Sequence, residues 1–349
     1  MVALRFTANP GDRAPRARLA LWALGLLLLL TGAVSLAVGA AGVSLPQVLA
    51  DWLSGDGVGL RERVILTDIR LPRLLTGALV GASLAVSGAL MQGLFRNPLA
   101  DPGLIGVSAG AGLGAICAIV LGGVLPFGGP HLVPLAAFLG GWGVTMILYR
   151  ISTRAGRTSV ATMLLAGIAL AALAGAGQGV LIARADDAQL RDLTFWNLGS
   201  LAGTSWAKLS VAGPVMLAGL IAAPFLARAL NALSLGEAAA MHLGIRVQRV
   251  KSVAVLAVAA SVGAAVAISG GVGFVGIVVP HLLRLAIGPD HRFLLPASAL
   301  LGAVLLIGAD MVARVIVAPA ELPIGIVTAL AGAPVFLWLL LRKRGLVDL

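Results

Sequence analysis

The sequence predicts an all-α integral membrane protein with ten transmembrane helices, and three observations carry that prediction. Of the 349 residues, 59% are hydrophobic and 11% charged, with a mean hydropathy of +1.03. Soluble domains carry about a quarter charged residues, so no soluble core can absorb this much apolar side chain. Windows free of charge and long enough to cross a bilayer, about 20 residues each, recur along the whole chain. Lys and Arg are also divided unequally between alternate connecting segments.

The first uncharged run extends from Leu19 to Ala50 behind Arg13, Arg16 and Arg18. A secretory signal has an apolar core of roughly 7–15 residues, so this much longer run is expected to be an uncleaved first span over 19–43. Further uncharged windows place spans at 74–95, 158–183, 209–227 and 322–341. Residues 102–149 hold no Asp, Glu, Lys or Arg, too long a stretch for one crossing. Pro126, Gly128, Gly129 and Pro130 divide it into spans at 103–125 and 131–149. Residues 252–283 are uncharged and break at Gly270–Gly271, giving spans at 252–269 and 272–287. The second of these is short, as expected of a broken or partly re-entrant helix packed inside protein. One more span, 293–313, is interrupted only by Asp310.

With the N-terminus inside, eight of the 25 basic residues fall in outer segments: Arg61, Arg63, Arg70, Arg73, Arg184, Arg191, Lys208 and Arg314. The remainder lie inside, which predicts that both termini are cytoplasmic. The net charge of +11 is explained by this bias and not by a nucleic-acid partner, because no basic run is interleaved with aromatics. Trp52, Trp142, Trp196, Trp206 and Trp338 fall near span ends or in outer loops, where interfacial anchoring accounts for them. Cys117 is the only cysteine and forms no intrachain disulfide. No catalytic constellation or metal-ligand cluster is expected. Pro280-His281 lies deep in an apolar run, and without an acidic neighbour there His281 is read as a packing residue.

The segment Leu233–Ile245, LSLGEAAAMHLGI, falls on the cytoplasmic side between the sixth and seventh spans. Ser234 and Glu237 have the S-x-x-E spacing of a capping box, and Gly244 stands where a left-handed residue ends a helix. A capped helix of about two turns is therefore expected over 234–244, as a surface connector or as a contact element.

Several long stretches resemble one family. RLPRLLTGALVGASLAVSGALMQGLFRNPLADPGLIGVSAGAG (70–112), LGEAAAMHLGI, GFVGIVVPHLLR (273–284), GPDHRFLLPASALLGA (288–303), ADMVAR (309–314) and ELPIGIVTALAGAPVFLWLLL (321–341) are similar to the FecCD-type iron-chelate and cobalamin permeases of ABC importers. RNPLADPG, DAQLRDLTFWNLGSLAGTSW (187–206) and VAPAELPIG (317–325) are most like the haem permeases. The resemblance implies the type II ABC importer permease fold and a homodimer around one central pathway in the bacterial inner membrane. It also implies two ATPase subunits below, where Mg-ATP is bound, and a periplasmic haem- or siderophore-binding protein above. Ser234, Gly236, Glu237, Ala238, Ala239 and Gly244 would then form the coupling helix that meets the ATPase. Arg70, Arg73 and Arg314 would meet acidic residues of the binding protein. Arg184, at the outer end of the 158–183 span, and Arg191 would guide the propionates of haem, since a guanidinium suits a carboxylate; a salt bridge from Arg184 to Asp186, Asp187 or Asp192 is the structural alternative.

No G-x-x-x-x-G-K-[ST] phosphate loop is present, and none of the three lysines follows a glycine, so the chain is not expected to hydrolyse ATP itself. It is read as a permease with haem as its transported substrate and no permanently bound cofactor. A ferric siderophore or cobalamin is the alternative within the family. An ion-coupled secondary transporter is the alternative of another class, disfavoured because such carriers bury ionisable residues along their pathway.

Overall fold

The structure is a computed structural model that describes residues 13–39, 54, 59–124, 129, 131–155 and 157–344. Among the described residues, seven helices are long and apolar enough to cross a membrane. They are α1 (Ala14–Ala37), α2 (Leu60–Phe95), α4 (Leu132–Ser152), α5 (Val160–Ile182), α7 (Trp206–Leu233), α9 (Val247–Ser269) and α11 (His291–Val315). Three further apolar helices occupy other predicted spans: α3 (Val107–Leu121), α10 (Val275–Ile287) and α12 (Ile324–Arg344), the last with its apolar part over Ile324–Leu339. Residues 40–43 of the first predicted span, and Pro126, Gly128 and Pro130 of the predicted break, lie outside the described residues. So does Trp52.

Helix α2 is the central element, 78% of its best apolar window being buried, against 11% for α1. It packs on α11, α9, α7 and α10. Small residues set these approaches, as expected where apolar burial supplies no drive between helices in lipid. Gly81 faces Gly302 of α11, and Gly88 faces Gly276 of α10. A Cβ at either α2 position would run into the opposing backbone carbonyl.

The predicted boundary at residue 74 falls inside a longer helix. Arg61, Glu62, Arg63 and Asp68 read as loop in sequence, yet they extend α2 at its N-terminal end by about three turns through a π-helical stretch, Ile65–Arg70. Charges do not end a helix; they only end its apolar face. Helix α2 ends at Phe95, where the predicted span ends: Arg96 adopts a left-handed conformation (φ 51°), and Asp101 caps a short 3-10 turn, Pro102–Ile105, by accepting from Gly103 N at 2.7 Å. Pro102 and Ile105 are buried, so this loop folds back among the helices. The break at Gly270 is present too, with φ +66° immediately after α9.

The outer loop predicted at 184–208 contains a further helix, α6 (Asp187–Leu198). Asp186 and Gln189 form a reciprocal capping box at its start. A two-stranded hairpin, β1 (Thr153–Arg154) with β2 (Arg157–Thr158), joins α4 to α5. Between α7 and α9 sits α8 (Glu237–His242).

Candidate functional site

Contacts between helix ends define two poles of the bundle. At the arginine-rich pole, Arg13 lies near Gly288, Arg96 near Gly236, and Asn231 of α7 donates to Asp290 at 2.7 Å. At the opposite pole the ends of α1, α2, α11 and the segment before α12 meet.

The arginine-rich pole carries α8. The expected capping box is not formed. Helix α7 runs to Leu233 and Ser234 continues it in helical conformation, its hydroxyl donating to Asn231 O at 2.6 Å. An N-cap needs extended backbone, so Ser234 cannot serve, and Gly236 at φ +107° turns the chain into α8 instead. Glu237 does not reach back; it accepts from Lys251 Nζ at 2.7 Å. The helix is six residues long, shorter than the expected 234–244. Its end does follow the expectation: Gly244 is left-handed (φ +79°), with Gly244 N bonded to Met241 O at 2.9 Å and Ile245 N to Ala240 O at 3.0 Å, the paired bonds of a Schellman ending. Ala238 is exposed and Ala239 half-buried. Around them Leu235, Met241 and Leu243 are 70%, 59% and 63% exposed. That is an apolar crest on a surface otherwise rich in Arg, of the kind that marks protein or membrane contacts. Nearby, Asp290 caps α11 and is held at about 2 by hydrogen bonds from Arg292, then by Asn231.

At the opposite pole the outward position expected for Arg70, Arg73 and Arg314 is corrected: all three are buried, at 4%, 7% and 7% exposure. Arg73 donates to Asp310 from Nε at 3.0 Å and from Nη2 at 2.8 Å, and to both oxygens of Glu321 at 2.8 Å. Arg314 pairs with Asp310 at 3.1 Å and donates to Ser35 Oγ at 2.8 Å. Arg70 donates to the carbonyls of Leu36 and Ala37 that end α1. A desolvated guanidinium takes the nearest carboxylates and free helix-end carbonyls, because an unpaired buried charge is expensive. Arg73 in turn holds the Glu321 carboxyl below the usual carboxylate range.

Arg184 and Arg191 are exposed, and among the described residues neither side chain forms an ion pair. The alternative salt bridge from Arg184 to Asp186, Asp187 or Asp192 is therefore not formed. Both flank the corner between α5 and α6. Helix α5 buries only Met163, Gly167 and Ala174, leaving Leu165, Ile168, Leu173 and Val180 more than 60% exposed. A cavity of about 560 Å³ opens between Leu84, Asp101, Asn197, Val266, Phe274 and Ile326, joining the folded-back loop, α6, α9 and α12. His281 is buried with Nδ1 3.3 Å from Pro98 O, packing α10 against that loop.

Sequence reasoning missed Lys251, the Asn231–Asp290 clamp and Glu321 as the partner of Arg73. Lys251 left only a weak signal, a lysine at the mouth of a predicted span, which it shares with Lys208.

Comparison with known proteins gives a consistent result. Residues 27–342 match the FecCD transport family. The hemin transport system permease protein HmuU of Yersinia pestis is 47% identical over 326 residues, covering 92% of this chain and 96% of the relative. The vitamin B12 import system permease protein BtuC of Klebsiella pneumoniae is 44% identical over 331 residues, covering 95% and 96%. Among solved structures, an inward-facing metal-chelate type ABC transporter superposes with a TM-score of 0.83 at 34% identity, covering 92% of this chain and 98% of that one.

Proposed function

Because the chain belongs to the FecCD transport family, we propose that it is the membrane-spanning permease subunit of an ATP-driven importer carrying haem from periplasm to cytoplasm. The observation that carries the substrate is the 47% identity, across nearly both full lengths, to a permease named for hemin transport. Cobalamin is the second reading, favoured by 44% identity over an equal share of the chain to permeases named for vitamin B12 import.

In this reading the chain crosses the inner membrane ten times with both termini cytoplasmic, so the arginine-rich pole faces the cytoplasm. Two copies enclose the pathway, and the uncovered apolar face of α5 supports a helix completed by a second copy or by lipid. The crest of Leu235, Met241 and Leu243 seats α8 in an ATPase subunit, which binds and hydrolyses Mg-ATP. Motion enters the permease there. At the other pole the binding protein docks by exchange: an incoming carboxylate replaces Glu321, the more exposed of Arg73's two acidic partners (38% against 4% of the side chain). Arg70 and Arg314 complete that basic centre. Arg184 and Arg191, which form no ion pair among the described residues, guide the propionates of haem toward the cavity at Asn197 and Phe274.

The test is ATP hydrolysis by the complex reconstituted in liposomes with its ATPase and binding protein, the latter loaded with haem, cobalamin or a ferric siderophore. Stimulation by the haem-loaded protein alone is expected; stimulation by another ligand alone would transfer the assignment to that ligand.

A further inference from the structure

We infer that Lys251 is the positioning residue that ties α8 to the foot of α5, so that movement of the partner-facing helix is delivered to the helix with the uncovered face. This rests on the proposed ATPase contact of α8, but not on the identity of the substrate.

Lys251 lies in the second turn of α9 and is 3% exposed. Its ammonium donates to Glu237 Oε1 at 2.7 Å and to Thr158 O at 3.0 Å. Glu237 is the first residue of α8, and Thr158 stands two residues before α5. One turn earlier on the same face of α9, Gln248 Oε1 accepts from Thr158 N at 2.8 Å. Both backbone polar groups of Thr158 are thus held by α9 side chains. The two strands are tied to each other: Thr153 and Thr158 join their hydroxyls at 2.9 Å and Ser159 N donates to Ser152 O at 2.9 Å. Ser159 then caps α5 through Thr162 N at 3.3 Å. A polar path from α8 to the foot of α5 thus runs from Glu237 through the Lys251 ammonium to the Thr158 backbone.

The chemistry suits transmission more than plain stability. A buried ammonium is strongly disfavoured without its anion, and Glu237 is the only carboxylate bonded to it among the described residues. Glu237 is itself 38% exposed at the side chain, on a helix whose apolar crest faces outward. If a partner displaces α8, the ammonium must follow its carboxylate or lose it, and the Thr158 carbonyl is drawn along. Beside the pair lies a cavity of about 380 Å³ lined by Arg96, Arg157, Ser159 and Glu237, which leaves room for the displacement.

The experiment is amide hydrogen exchange of peptides covering residues 153–163 in the permease–ATPase complex, with and without ATP, alongside ATP hydrolysis and haem uptake. The wild-type complex should change exchange in this segment on ATP addition. Lys251→Met should abolish that change while ATPase association and basal hydrolysis persist, and haem uptake per ATP should fall at least tenfold. Lys251→Arg should restore part of both. Glu237→Gln, on a half-exposed helix whose folding is not at risk, should weaken the response, and the double variant should be no worse than Lys251→Met. An unchanged ATP response in Lys251→Met, no response in wild type, or raised exchange across the whole bundle would each overturn the inference. If the ATP response behaves as expected but haem is not taken up by the wild type, the substrate assignment fails and the linkage stands.

Discussion

Neutralising Asp310 should be the most damaging single change at the pole where α1, α2 and α11 meet. Its carboxylate is 4% exposed and is shared by two buried guanidiniums, Arg73 at 2.8 Å and Arg314 at 3.1 Å. Asp310→Asn keeps the shape but strands the buried Arg314 and leaves Arg73 with one carboxylate, Glu321. Breaking a buried pair by removing one partner costs about 3–5 kcal/mol, because the other charge stays desolvated. Glu321→Gln removes the same formal charge from a far more exposed position, where solvent compensates and the expected loss is about 1 kcal/mol or less. The double variant Asp310→Asn/Arg314→Met removes the stranded cation as well and should recover most of the loss, since Arg73 retains Glu321. Unfolding free energies from detergent titration of the purified chain measure all three. An Asp310→Asn variant within about 1 kcal/mol of wild type, or a double variant no better than the single, would refute the reasoning.

Four further outcomes follow from other sites. Gly88→Ala should cost about 1–3 kcal/mol by forcing α2 from Gly276, whereas Gly143→Ala, with open space at its Cα, should be neutral or gain about 0.5–1 kcal/mol from helix propensity; the same titration compares them. Met241→Glu and Leu243→Glu should abolish ATPase co-purification without altering the elution profile of the permease, because they charge the crest and not the core. Asp290, held at about 2 by Arg292, has a depressed pKa, so its stabilising contribution is complete above the unfolded carboxylate value near ~4 and is lost only as pH falls toward 2. The stability gap between wild type and Asp290→Asn should therefore stay constant from pH 5 to 8. Arg184→Ala should cut haem uptake several-fold with assembly and basal ATP hydrolysis intact, and Arg191→Ala should add to it; loss of assembly together with uptake would make Arg184 structural.

Legibility followed the range of the physics. The apolar runs were readable because the bilayer imposes a length on them, and the breaks at Arg96–Gly103 and Gly270 because Pro and Gly act on their own backbone. Gly244 was readable for the same reason. The Ser234–Glu237 capping box was not: the spacing is correct, but whether a serine caps a helix depends on where the preceding helix stops, and α7 runs through it. The outward arginines failed likewise. Position in sequence places Arg70, Arg73 and Arg314 at a membrane face, while the carboxylate that neutralises Arg73 lies 237 positions away.

By itself, then, the sequence determined that this chain lives in a bilayer, where its apolar helices run, and which family it resembles, because composition, run length and motif are local properties. The tertiary structure decided which charges are buried and with whom. It alone brought Lys251 between Glu237 and Thr158, joined Arg73 and Arg314 to Asp310 and Arg73 to Glu321, and set Arg70 on the carbonyls that end α1. The physical reason is that desolvation makes a buried charge choose a partner by distance in space, and that distance exists only once the helices have packed.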